Sequence, residues 1–272
     1  MVTAGYVLLF PHDPKKSWLF VKGGNVVREW TSGHNGFLGE LLPNGNFVRH
    51  SRIDKARPSK CGGTCGVLEE FDWDGKKVWE YKLYVPDEVV SHHTFEVMPN
   101  GNYLILGWEY KTYEEALAKG LDPSLPGREM TPEGLTVEEE LIKGIWPDFI
   151  REIDRKTGKS VWEWHVWDHV GTGPDQLDIN KHIPPQISKA YAGPDWTHFN
   201  GLAYRPETDE RCVTSRHPAD GSIIDRKSGK IPFRCGNPAK YGEGKAPVGY
   251  ADQRAQKLFG PPAPDLTADG TS

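Results

Sequence analysis

Four segments of this chain repeat one pattern, and the repetition limits the possible folds more than any other feature. GGNVVREW at 23–30, DWDGKKVWEYKL at 72–83 and DRKTGKSVWEWHV at 154–166 each place a glycine-containing turn before alternating apolar and polar residues. DRKSGKIPFRCG at 225–236 keeps the turn and loses the tryptophan. Period-two alternation marks a half-buried strand. A hairpin follows each of the first three segments. ELLPNGNFVRHS at 40–51 and EVMPNGNYLILGW at 96–108 share Pro-Asn-Gly-Asn between apolar runs, and AYRPETDERCVTSR at 203–216 has a longer turn in the same place. Asn-Gly is the strongest short hairpin signal. The unit is thus a pair of hairpins, about four strands in ~40–50 residues, which is the blade of a β-propeller. The expected fold class is all-β, with three full blades and a partial fourth visible. Rings usually close with about four to eight blades. Either the N-terminal strand completes the fourth blade, or blade edges stay open and a homo-oligomer or a partner subunit is expected to cover them.

Composition agrees and excludes several partners. Of 272 residues, 30 are Gly and 22 Pro, with 10 each of Trp, Tyr and Phe, which suits many short strands joined by turns. A net charge of -5 is too nearly neutral to suggest a nucleic-acid or anionic-membrane partner. No window approaches the ~18 apolar residues of a membrane span, and MVTAGYVLLFPHDPKK lacks the basic start and cleavage site of an export signal. One propeller domain is expected over 1–258, interrupted at 110–147 by short helices or loop and followed by a disordered tail at 259–272. Within the interruption, TVEEELIKG has capping-box spacing from Thr136 to Glu139. Cys61 and Cys65 in CGGTC could close a local disulfide loop, while Cys212 and Cys235 stand in separate strands, so buried thiols or one disulfide are expected rather than zinc ligands.

Histidines recur where inner strands begin: His34 in GHNGF, His92 and His93 in SHHTFEV, and His198 in DWTHFNGL, with Trp196 two residues earlier and Asn200 two later. Arg216 and His217 end the strand that pairs with the last of these. Blade repetition would gather such positions at one mouth of the channel. Histidine serves as nucleophile, acid or base near neutrality, arginine offers a planar fork to an oxyanion, and asparagine donates to a charged oxygen. Group transfer of an anionic ester fits this set; a histidine-ligated transition metal is the alternative chemistry.

The segments EEFDWDGKKVWEY, SHHTFEVMPNGNYLIL, FIREIDRKTGKSVWEW, DWTHFNGLAYRPETDERCVTSR and IPFRCGNPAKYG, over roughly residues 5–260, resemble in order the hallmark segments of the bacterial arylsulfotransferases, the PAPS-independent aryl-sulfate sulfotransferases. The resemblance implies a six-bladed propeller that moves a sulfuryl group from a phenolic sulfate to a phenol acceptor through a sulfohistidine, without a cofactor or metal and usually outside the cytoplasm. Carried over by position, His92 or His93 would contact the sulfuryl group, and His198, Asn200 and Arg216 would bind its oxygens; His34, Trp196 and His217 join them as substrate contacts. The chain departs from the family at LFGPPAPD, 258–265, where family members read LFGQHD with the nucleophilic histidine, and no histidine follows His217. Another pocket histidine would then replace the nucleophile, or the protein would be a propeller that binds or scaffolds without catalysis. A fainter resemblance to quinoprotein blades, in Asp154, Gly158 and Trp162, implies a tryptophan packed between blades.

Overall fold

In the computed structural model, which describes residues 5–12, 14–54, 56, 62–122, 144–180, 195–216, 218 and 220–236, each of the four repeated segments forms the outermost strand of an antiparallel sheet. The first sheet runs β1 (Tyr6–Leu9), β2 (Lys16–Val21), β3 (Val26–Thr31). The second runs β4 (Asn35–Leu41), β5 (Phe47–Arg52), β6 (Gly66–Phe71), β7 (Lys77–Lys82). In the third, β8 (Tyr84–Val85), β9 (Val89–Val97), β10 (Tyr103–Glu109), β11 (Asp148–Ile153) and β12 (Ser160–His165) lie side by side. The fourth runs β13 (Phe199–Arg205), β14 (Glu210–Ser215), β15 (Asp220–Asp225), β16 (Phe233–Cys235). Strands pair in chain order, so the architecture is all-β and of β-propeller type, one meander per blade. The chain divides into two compact units, Met1–His93 and Thr94–Ser272, with the division inside β9.

The Pro-Asn-Gly-Asn turns show why that sequence recurs. Gly45 and Gly101 take φ of 87° and 85°, open to glycine at no steric cost. The first asparagine accepts from the second one's backbone N–H, at 3.0 Å for Asn44 and 2.9 Å for Asn100. The second asparagine's side chain donates to a buried glutamate, Asn46 to Glu70 at 2.6 Å and Asn102 to Glu152 at 2.8 Å. Turn and sheet interior are therefore tied by one residue.

Within each unit a tryptophan of an outer strand reaches the next sheet. Trp30 is fully buried and its Nε1 donates to the Asp72 carbonyl at 2.9 Å. Trp164 donates to the Gly229 carbonyl at 2.8 Å, and Trp162 to that of Arg226 at 3.2 Å. The acceptors lie in the glycine turns of the following repeat, so the repeat docks onto itself. In the second unit Glu152 also accepts from Arg211 and Arg226, both at 3.2 Å, and the Arg211 guanidinium lies 4.7 Å over Trp162 and 4.8 Å over Tyr204. A buried carboxylate with two guanidinium partners is compensated for its lost hydration.

The one α-helix among the described residues, α1 (Tyr113–Ala118), stands in the expected interruption, started by a capping box between Thr112 and Glu115. Residues 123–143, with the expected Thr136–Glu139 box, lie outside the described residues, as do Cys61 and everything from 237 onward. Cys65 is a buried free thiol whose Sγ donates to the Gly63 carbonyl at 3.2 Å, and burial pushes its pKa up. No helix among the described residues is long and apolar enough to cross a membrane.

Candidate active site

The first strand of a blade begins irregularly, and the irregularity places side chains. In the second sheet Gly36 faces Ser51 and Leu38 faces His50, leaving Phe37 as an extra residue. In the fourth, Phe199 faces Ser215 and Gly201 faces Thr214, leaving Asn200 as the extra residue. Such bulges re-aim a side chain at a strand end. Phe37, His93 and Asn200 each stand six residues before the proline of the following turn, Pro43, Pro99 and Pro206. Two of these are residues that sequence alone had singled out.

In the second unit the bulge is preceded by His198, whose φ of 58° lies in the left-handed region. A non-glycine residue is held there only by its surroundings. Here one carboxylate holds the backbone on both sides. Asp148, fully buried at the start of β11, accepts from Thr197 N at 2.8 Å, Thr197 Oγ1 at 3.0 Å and Phe199 N at 3.0 Å, gripping the chain on both sides of His198. Burial raises its pKa to about 7, opposed by the nearby His198 and these hydrogen bonds. The His198 ring is 1% exposed, hydrogen-bonds through Nδ1 to Asp195 and lies 6.0 Å from the Trp108 ring. A carboxylate at Nδ1 holds the proton there and leaves the lone pair on Nε2, the tautomer suited to attack or to proton uptake.

Around it, Arg216 N donates to the His198 carbonyl at 3.0 Å, which fixes the arginine beside the histidine in register. Asn200 Oδ1 accepts from Thr214 Oγ1 at 3.0 Å, so its amide nitrogen is the end that can donate to an anion. The hydroxyl of Ser215 is fully buried with no hydrogen-bond partner among the described residues. Trp196 is 1% exposed and belongs to the unit's core with Phe199, Leu202 and Trp164. His217 lies outside the described residues.

The first unit gathers its own histidines. His92 Nδ1 and His93 Nδ1 are 2.9 Å apart, a bond in which one ring donates and the other accepts. His50, fully buried, bonds through Nε2 to Ser91 Oγ at 2.8 Å. Burial first, then the neighbouring His92, lowers its pKa to about 3, so it is neutral at physiological pH. Gly63 explains its own identity: φ is +92°, and a Cβ there would fall 2.3 Å from the His93 ring. The His34 backbone is fixed by donation to Ser32 Oγ at 2.9 Å and acceptance from Arg49 at 3.2 Å.

The second unit therefore brings together His198, Asn200 and Arg216, and the first brings together His92 and His93. Asp195, Asp148 and His50 were not foreseen. Asp195 stood in plain view, three residues before a histidine that bends back upon it. Among the described residues no group of three or more His, Cys, Asp or Glu side chains is arranged to hold a metal ion.

No curated protein matches the chain. Solved structures resemble it at low identity. A protein of unknown function from Bacteroides caccae shares 14% identity at a TM-score of 0.37, covering 86% of this chain and 73% of its own. Kuenenia stuttgartiensis hydrazine synthase shares 12% at 0.46, covering 84% of this chain and 58% of its own. The Cps50 (Swd1) β-propeller domain of Myceliophteria thermophila shares 11% at 0.42, covering 89% and 59%. This chain thus spans less than two thirds of the last two. Residues 139–253 match the family model described as Arylsulfotransferase (ASST), a stretch that includes β11 to β16 and His198, Asn200 and Arg216. That match supports an arylsulfotransferase-family assignment for this segment.

Proposed function

We propose that the protein transfers the sulfuryl group of a phenolic sulfate ester to a phenol acceptor, with His198 as the reacting base or nucleophile. The observation that carries this reading is the buried His198–Asp195 pair within the family-matched segment. In the nucleophilic form the Nε2 lone pair attacks sulfur, the S–O bond to the aryl oxygen breaks, and the phenolate leaves and takes up a proton. An acceptor phenol, losing its proton, then attacks sulfur, and the N–S bond returns its electrons to Nε2. Water as acceptor would give hydrolysis. Arg216 and the Asn200 amide nitrogen are the proposed donors to the sulfate oxygens, whose charge redistributes in the transition state. Trp196 and His217 are further proposed contacts of the substrate. A partner or second copy against open blade edges is proposed in the same sense.

The test is release of 4-nitrophenol from 4-nitrophenyl sulfate, with and without a phenol acceptor. Acceptor-dependent release is expected, and Arg216→Ala should lower it about 10²–10³-fold at unchanged thermal unfolding. Equal rates in the variant would remove Arg216 from the site. A second reading is favoured by LFGPPAPD, which has prolines where the family's nucleophile segment has Gln and His. It makes the protein a binding or scaffold subunit, and folded protein that releases no nitrophenol under either condition would select it.

A further inference from the structure

On β12 the side chains of Trp162 and Trp164 turn to the following repeat, and alternation gives Glu163 and His165 to the opposite face. There they stand in register with Arg151 and Phe149 of β11, and the Phe149 ring covers Gly107 of β10, where a Cβ would fall 2.4 Å from it. The His165 ring stacks on Phe149 at 5.2 Å and is held at both nitrogens. Nδ1 lies 3.0 Å from Glu109 Oε1, and Nε2 lies 3.0 Å from Glu163 Oε2. Each carboxylate meets a second cation, Lys111 on Glu109 at 2.8 Å and Arg151 on Glu163 at 2.8 Å. His169, four residues on, stacks on Trp164 at 4.6 Å instead. A neutral imidazole has one N–H and would turn a lone pair to the other carboxylate, so only the charged ring satisfies both.

His165 is also the residue from which a short 3-10 helix, Val166–His169, departs. That helix and α1 form one cap. Lys119, at the end of α1, donates to the Trp167 carbonyl at 3.2 Å, and the ammonium groups of Lys111 and Lys119 lie 5.6 and 5.5 Å from the Trp167 ring. Farther on, Asn180 donates to the Gly120 carbonyl at 2.9 Å and accepts from Asp122 N at 2.8 Å. We propose that His165 is a proton-operated clasp for this cap, closed while the ring is charged and loosened when it gives up the proton. Lys111 links clasp and cap, since it pairs with Glu109 and lies over Trp167. Burial alone would lower the pKa of His165 and raise that of Glu109, and their mutual contact, with Glu163 and Lys111, reverses both directions. The folded pKa of His165 therefore stands above its ordinary 6.5, so the clasp contributes fully below that pH and is lost as pH rises through the folded value. The root of the cap adjoins the candidate site, for Trp108, next to Glu109, lies 6.0 Å from the His198 ring. The inference does not rest on the transferase reading.

Ring-carbon NMR shifts of the full chain should show His165 titrating above 6.5, and Glu163→Gln, at a half-exposed position, should bring its midpoint down. Amide hydrogen exchange, corrected for intrinsic rates, should show the protection of Val166–Val170 and of Lys119–Leu121 falling about 10-fold between about pH 6 and about pH 8.5. His165→Gln keeps one donor and cannot titrate, so protection of the cap in that variant should be the same at both pH values. Should it fail to fold, the titrations of wild type and Glu163→Gln still decide. A wild-type midpoint at or below 6.5, an unmoved midpoint in Glu163→Gln, equal protection of the wild-type cap at both pH values, or a pH dependence kept by His165→Gln would each overturn the inference. A failed sulfuryl-transfer assay would leave it standing.

Discussion

Two carboxylates share the support of His198, and they differ in what they hold. Asp195 contacts the ring at Nδ1, whereas Asp148 accepts from the backbone and hydroxyl on either side. Asp195→Asn should keep the fold and lower aryl-sulfate turnover about 10²–10⁴-fold, since an amide can present a donor to Nδ1 and reverse the tautomer; steady-state kinetics beside a thermal melt would check it. Asp148→Asn puts an NH2 group where an oxygen accepted N–H or O–H, so stability should fall by about 1–3 kcal/mol in urea unfolding. Asp148 positions His198 and does not react, so that variant should also shift the pH–rate profile. His198, Asn200 and Arg216 were legible in the sequence because strand ends rarely combine those side chains. Asp148 was not, because it lies 50 positions from His198 in the chain, in WPDFIREI, where an aspartate reads as an ordinary strand start.

At the scale of the element, the outer strand of each repeat serves as both edge and dock. Trp164→Phe keeps one aromatic ring and loses the N–H donated to Gly229 with part of the indole's volume, which should cost about 1–3 kcal/mol, while Trp164→Ala opens a larger cavity in the second unit's core and should cost about 3–5 kcal/mol. Denaturant midpoints of the two variants would check that order. The hairpins β4–β5, β9–β10 and β13–β14 and the outer strands were readable from turns and alternation. The middle strands were harder. β6, Gly66–Phe71, is buried at every position, and its Glu69 and Glu70 are accepted inside because Ser32 and Asn46 donate to them at 2.6 Å each. Alternation vanishes when both faces are interior and charge is paired there, so a strand of this kind looks like none. The capping box that starts α1, at Thr112 and Glu115, was equally visible in the letters and passed over for the one at Thr136.

For the molecule as a whole, acid should act on the two units in opposite senses. The His50 pKa falls from 6.5 to about 3 on folding. The unfolded chain therefore binds the proton first, and the first unit loses stability as pH drops from about 6.5 towards 3. The Asp148 pKa rises from 3.8 to about 7. Here the folded chain binds the proton first, so the second unit gains stability as pH drops from about 7 towards 4. Hydrogen-exchange protection, corrected for intrinsic rates and compared between pH 7 and 4.5, should decrease in β5 and increase in β13. A common trend in both strands would show that neither group governs its unit. The repeat period made the blade legible over the whole chain, but no count of repeats could reveal a division inside β9, which depends on which residues pack together.

The extra residue at the start of β4 and β13 also has an evolutionary meaning. Because Phe37 and Asn200 have no opposite number in the neighbouring strand, the residues beyond them keep their assignment to one face or the other whatever stands at those two positions. A blade can thus exchange a phenyl ring for a carboxamide as a tool handle exchanges its bit. One repeated scaffold could in this way diversify its chemistry one strand-end residue at a time, without redesigning the core beneath it.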